Sequence, residues 1–329
     1  MSSSRDLQFD GLKFLLIFLV VLGHLTFKDY GIGVKRMIFS FHMPVFLFLS
    51  GYFTSLSSSI EKQNKWLKKT LFLFIIAHLA QLLLRILLAY VFCRSNGSAF
   101  NLSSLLKWDA FICPGYALWY LVCLMYWRVF IWKIGNCLND ILLFIFSCVA
   151  AFLVGFIPLD TEFSFQRTFA FFPFFLLGIV VKKRHLIQKI EQIPIWVAII
   201  GIVIGLLVAR KLPTYLPAYH YVSVKHLLLR IIQTTLGLYL SILVIRVSRC
   251  RFTEFFAKFG SKTLWIYIGH TYLIILGRYI YPLLGISFNF FTAVLVAILY
   301  CAFIFLIANA YERVREKRLI VVSQQNTEL

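Results

Sequence analysis

Apolar runs of 14 to 23 residues, separated by short polar breaks, recur along the whole chain. A bilayer core is crossed by about 20 apolar residues of helix. The pattern therefore predicts ten membrane spans, near 12–28, 37–54, 70–92, 113–132, 141–158, 168–181, 194–210, 224–246, 263–281 and 288–309. The sixth run is the shortest and holds Pro173, which predicts a bent or partly re-entrant helix sheltered by its neighbours. No small-residue cleavage site follows the first run, so it reads as a permanent span. The fold class expected is all-α: a polytopic membrane bundle of about ten transmembrane helices forming one domain over 1–329, with 319–329 a short frayed tail.

Composition agrees with the pattern. The chain is 61% hydrophobic and 18% aromatic, with a mean hydropathy of +0.85, against 45–50% apolar residues in ordinary soluble domains. Its formal charge of +20 would suggest nucleic acid were the basic residues not gathered at the ends of apolar runs. Such flanking charge is the mark of membrane topology instead, and no nucleic-acid partner is expected. With the amino terminus placed inside, roughly twice as many Lys and Arg residues fall on the cytoplasmic side as on the other. Both termini are then cytoplasmic, and the location expected is the cell (plasma or inner) membrane, multi-pass. The seven cysteines lie mostly inside apolar runs and none has metal-ligand spacing, so no metal is expected. Cys93 and Cys113 are the one pair that could meet outside the membrane. No distinctive segment recurs, which weighs against a transporter built from two related halves.

Ionisable groups inside spans are costly, and each is a functional candidate. In the first span Lys13 and His24 are eleven residues apart, three helical turns plus roughly 20°, so both leave one face about 16 Å apart along the axis. Asp10 lies one turn before Lys13. The stripe could line a tunnel whose length is comparable to the pantetheine arm of coenzyme A, with phosphates at Lys13 and the thioester near His24. An interfacial ion pair plus a structural histidine explains the same spacing. A neutral imidazole at His24 can take a proton from an attacking hydroxyl or form a transient acyl-histidine.

Further candidates lie in other spans. In FHMPVFLFLSGYF, His42 either joins the site or satisfies a carbonyl freed by Pro44, while Ser50 and Gly51 permit close helix packing. His78, Gln81 and Arg85 form a polar stripe on the third span; His226, Arg230, Gln233 and Thr234 form another on the eighth, and Tyr267 and His270 sit on the ninth. Between the second and third spans, EKQNKWLKK offers Lys68 and Lys69, which matter for phosphate only if they border the mouth at Lys13.

The segment FDGLKFLLIFLVVLGH resembles the first-helix motif of the membrane-bound acyltransferase-3 family, especially its fucose-4-O-acetylase-like members, in which a basic residue and a histidine are separated by ten positions. FHMPVFLFLSGYF, LWYLVCLMY from Leu118, FFPFFLLGIVVKK from Phe171 and GSKTLWIYIGHTYL from Gly260 are similar to family segments and occur in family order. The resemblance implies a ten-helix enzyme that uses acyl-CoA, usually acetyl-CoA, as co-substrate with no bound cofactor. It acylates a hydroxyl of a carbohydrate or glycan acceptor, and polysaccharide-assembly proteins are possible partners besides the lipid bilayer. His24 matches the family's essential histidine. Lys13 matches its basic partner, often an arginine, and Lys68 and Lys69 also stand where arginines are common.

The catalytic set expected is His24, Asp10 and Lys13. Lys13, Lys68 and Lys69 are assigned to the donor, and His42, Arg85, Trp119, Tyr120, Arg230, Tyr267 and His270 to the acceptor cavity. The chain has no room for the extracytoplasmic hydrolase-like domain that some members add, so the membrane domain is expected to act alone or to pass its acyl group on. The rival readings are a carrier for a sugar or anion that uses His24 and Arg85, and a scaffold subunit of a polysaccharide assembly complex.

Overall fold

The computed structural model describes residues 6–25, 31–55, 58–107, 109–113, 117–135, 138–157, 162–214, 220–283, 285 and 289–325. Every regular element among them is helical. In chain order these are α1 (Leu7–Leu25), α2 (Ile32–Tyr52), α3 (Ile60–Ser95), α4 (Asp109–Ile112), α5 (Trp119–Ile134), α6 (Asp140–Leu153) and α7 (Phe165–Lys183). There follow α8 (Ile187–Glu191), α9 (Ile195–Lys211), α10 (Val224–Ser248), α11 (Arg251–Phe255), α12 (Ala257–Gly260), α13 (Thr263–Leu283) and α14 (Phe290–Gln325). Short 3-10 turns, Val154–Phe156 and Glu162–Ser164, close α6 and precede α7.

Each of the ten predicted segments overlaps one helix of fourteen residues or more. Among the described residues, six stretches are long and apolar enough to cross a membrane: α1, α2, α3, α7 with its preceding turn, α10, and α14 as far as Arg315. The other four differ for physical reasons. Helices α5, α6 and α9 have 16, 14 and 17 residues, so at 1.5 Å per residue they reach only about 21–26 Å against a core of about 30 Å. Helix α13 has 21 residues but carries His270, Thr271 and Arg278, which lower its apolarity.

Three boundaries depart from the sequence expectation. Helix α3 begins ten residues before the predicted span because Ser59 caps it, its hydroxyl accepting from the Lys62 amide at 3.4 Å. The lysine run from Lys62 to Lys69 is therefore helical rather than a loop. Helix α7 is not short: it has 19 residues, tolerates Pro173 in its interior, and with its lead-in turn is the most buried of the six stretches. Helix α14 continues past Leu319 to Gln325, through most of the predicted tail. Cys93 and Cys113 are not joined to each other by a disulfide, and Cys137 lies outside the described residues.

The centre of the bundle is α2, which packs on α7, α1, α10 and α9. Helices α2 and α7 meet backbone to backbone. A Cβ on Gly51 would stand 1.8 Å from the Phe175 carbonyl oxygen, and one on Gly178 would stand 2.0 Å from that of Phe48. The small residues of FLSGYF and FFLLGIV thus face each other, the close approach that membrane helices use. A buried core of Ile17, Val20, Leu47, Trp127, Phe174, Phe175 and Ile266 joins α1, α2, α5, α7 and α13.

Candidate functional site

One helix, α1, carries both principal residues. At its first turns, Lys13 donates to Asp10 Oδ1 at 3.1 Å, and the ammonium lies 4.2 Å from the centre of the Phe53 ring. This end of α1 is clamped from outside. The Gly11 position leaves 1.7 Å between a would-be Cβ and the Thr253 carbonyl oxygen, and Gly260 leaves 2.2 Å to that of Asp10. Glycine at both places is what lets α11 and α12 lie directly on the helix. Nearby Arg249 pairs with Asp6 at 2.8 Å and Glu191 at 2.7 Å and covers the Phe9 ring at 4.9 Å.

At the other end, His24 is half-buried. Its ring lies 5.6 Å from that of Phe39 on α2 and 5.4 Å from that of His270 on α13, measured between centres. His42 also packs on Phe39, at 4.9 Å. The acceptors assign the tautomers of the two neighbours. His42 donates from Nδ1 to the Ile38 carbonyl at 2.6 Å, and His270 donates from Nδ1 to the Tyr267 carbonyl. The carbonyl freed by Pro44 belongs to Ser40, so His42 does not serve it. His270 Nε2 is buried without a hydrogen-bond partner, and in the neutral ring that nitrogen is an acceptor.

The contacts extend inward from His270. The ring of Tyr267 lies 5.8 Å from His270 and 5.4 Å from Tyr120, the Tyr267 hydroxyl donates to the Ala117 carbonyl, and the Tyr120 hydroxyl bonds Ser50 Oγ at 2.8 Å. Trp119 stacks on Phe171 at 5.0 Å and 11°, with the Arg167 guanidinium 5.7 Å from its centre. His24, His42, Tyr120, Tyr267 and His270 therefore form one connected group, with Trp119 at its border.

Other predicted members stand apart from that group. Lys68 and Lys69 are exposed on α3, which packs chiefly on α13 and α5. On the same helix, Gln81 donates to Thr271 Oγ1 at 2.6 Å, tying α3 to α13, and half-buried Arg85 lies one turn beyond. Arg230 is buried on α10 beside a separate cavity.

The face of α1 between Lys13 and His24 is apolar. Ile17 and Val20 occupy it and expose 0% and 3% of their surface. Two buried apolar side chains therefore interrupt the polar stripe expected along that face.

Sequence reasoning missed Lys35, whose ammonium is 5.5 Å from the centre of the Phe39 ring that also contacts His24. It counted Lys35 as a flanking charge, although its spacing of four from Phe39 puts both on one face of α2. Arg167 was counted only as a flanking charge and Ser50 only as a small packing residue, and only the fold shows that they adjoin Trp119 and Tyr120.

A family model described as an acyltransferase domain matches residues 6–308. No curated protein and no solved structure matches the chain.

Proposed function

Because the chain belongs to the acyltransferase-3 family and is a multi-pass membrane acyltransferase, we propose that it moves an acyl group, acetyl in the first instance, from acyl-CoA to a carbohydrate hydroxyl. The acceptor belongs to surface polysaccharide modification, and the enzyme works in the cell membrane. The observation that carries this reading is the position of His24, half-buried where α1, α2 and α13 meet, on the helix whose opposite end presents Lys13.

Neutral His24 removes the proton from the acceptor hydroxyl while that oxygen adds to the thioester carbon. The tetrahedral intermediate collapses, the carbon–sulfur bond breaks, and the proton held on His24 passes to the departing thiolate. The Nε2 of His270 offers a lone pair beside this centre and can orient the histidinium that forms. Lys13 holds phosphate at the far end as a point charge, with Asp10 fixing the amine. Tyr120, Tyr267 and Trp119 supply the aromatic and hydroxyl surface that a sugar ring uses, with His42 and Arg85 farther out. Lys68 and Lys69 add to the positive field that draws the donor.

Membranes carrying the protein, supplied with labelled acetyl-CoA and a crude glycan fraction, should yield labelled glycan, and His24→Ala should reduce the label to background. Undiminished labelling with His24→Ala would remove the histidine from the chemistry.

A further inference from the structure

At the His24 end of the bundle, between the end of α9 and the start of α10, lies a cavity of about 170 Å3 bordered by Pro213, Thr214, Tyr221, His226, Arg230 and Gln233. Arg230 exposes only 3% of its surface, and its guanidinium is 5.8 Å from the centre of the Tyr221 ring. Pro213 and Gln233 also border a smaller recess whose wall includes Arg36 and Ser40, and Gln233 donates to the Pro213 carbonyl at 2.8 Å. Arg36 donates from Nη1 to the Arg210 carbonyl at 3.4 Å, while its Nε is buried with no acceptor. Arginines from α2 and α10 thus border adjoining recesses, and none of the described residues bordering either recess is acidic. Arg36 stands one helical turn from Phe39, the ring packed on His24.

We propose that these two recesses together hold an anionic group, a carboxylate or a phosphate, carried by the acyl acceptor; the assignment to the acceptor rests on the O-acyl transfer reading given above. Guanidinium groups suit such a ligand because their planar fork meets two oxygens at once. A volume of about 170 Å3 falls below the roughly 300–1,000 Å3 of sites for drug-sized ligands, so the site takes one charged sugar residue rather than several. The acceptor class is then an acidic glycan, a uronic acid or sugar phosphate.

The test uses the full chain in phosphatidylcholine nanodiscs without acyl-CoA, titrated with glucuronate, inorganic phosphate and, as the neutral control, glucose. The expected result is binding of glucuronate or phosphate at least tenfold tighter than glucose, weakened at least tenfold by Arg36→Gln. Arg230→Gln is measured alongside; Arg36→Gln decides the matter if the deeper substitution fails to fold. Equal binding of glucose, or anion binding unchanged in Arg36→Gln, overturns the proposal. Repetition in phosphatidylglycerol nanodiscs separates the two sources of phosphate: loss of glucuronate binding there assigns the site to a lipid headgroup and overturns the acceptor assignment. Because binding is read with His24 intact and no donor present, its failure leaves acyl transfer standing, and failure of transfer in His24→Ala leaves the anion site standing.

Discussion

In the proposed reaction, single residues at the two ends of α1 set what the site can do, and only part of that was readable beforehand. The eleven-residue spacing of Lys13 and His24 placed both on one helix face, because a helix fixes relative direction through its pitch alone. The partners of each were not readable. His270 and Phe39 reach His24 from α13 and α2, and contacts between helices distant in sequence leave no linear trace. The same holds away from the membrane centre, where Arg184 at the end of α7 binds Asp140 at the start of α6 through two bonds of 2.6 and 3.1 Å. Hydrogen bonding to Arg184 holds the Asp140 carboxyl below its usual range. A carboxylate depressed in the folded state stabilises it above its unfolded value of about 4, and that contribution disappears as pH falls through the folded value. The melting temperature of wild type should therefore exceed that of Asp140→Asn near pH 7, and the two should converge as pH drops below about 4. A constant gap across that range would show that the pair does not act through its charge.

Between elements, glycine decides which helices touch. The α2–α7 contact was partly legible, since Ser50 and Gly51 announced close packing, but their partner Gly178 was visible only in the fold. A methyl group at Gly51 would meet a backbone oxygen at 1.8 Å, and backbone on both sides leaves no flexible side chain to yield. Gly51→Ala should cost about 1–3 kcal/mol, the usual toll of overpacking, read as a lower melting temperature in detergent. Exposed Gly97, with nothing within 4 Å of its would-be Cβ, lies away from every helix contact. The same logic explains the opening of the chain: Gly11 and Gly260 let α11 and α12 clamp α1 beside Lys13. Periodicity could not reveal this, because α11 and α12 have five and four residues and bury no face long enough to show a repeat.

For the whole molecule, each apolar run located by hydropathy overlaps a long helix among the described residues, while α5, α6 and α9 are shorter than a straight crossing of the bilayer core requires. An even number of crossings places both termini on one side. Tags fused to each terminus should be reached by protease from the cytoplasmic face only; tags reached from opposite faces would contradict the topology on which donor entry at Lys13 depends. The proposed reaction assigns separate duties to the two ends of α1, with the donor held at Lys13 and the proton moved at His24. Steady-state kinetics with varied acyl-CoA test this division most directly. Lys13→Ala should raise KM for acyl-CoA with little change in kcat, whereas His24→Ala should lower kcat by about 10²–10⁴, the range for loss of a general base, with little change in that KM. Equal effects of both substitutions on kcat, or a His24→Ala enzyme that loses only donor affinity, would contradict the account.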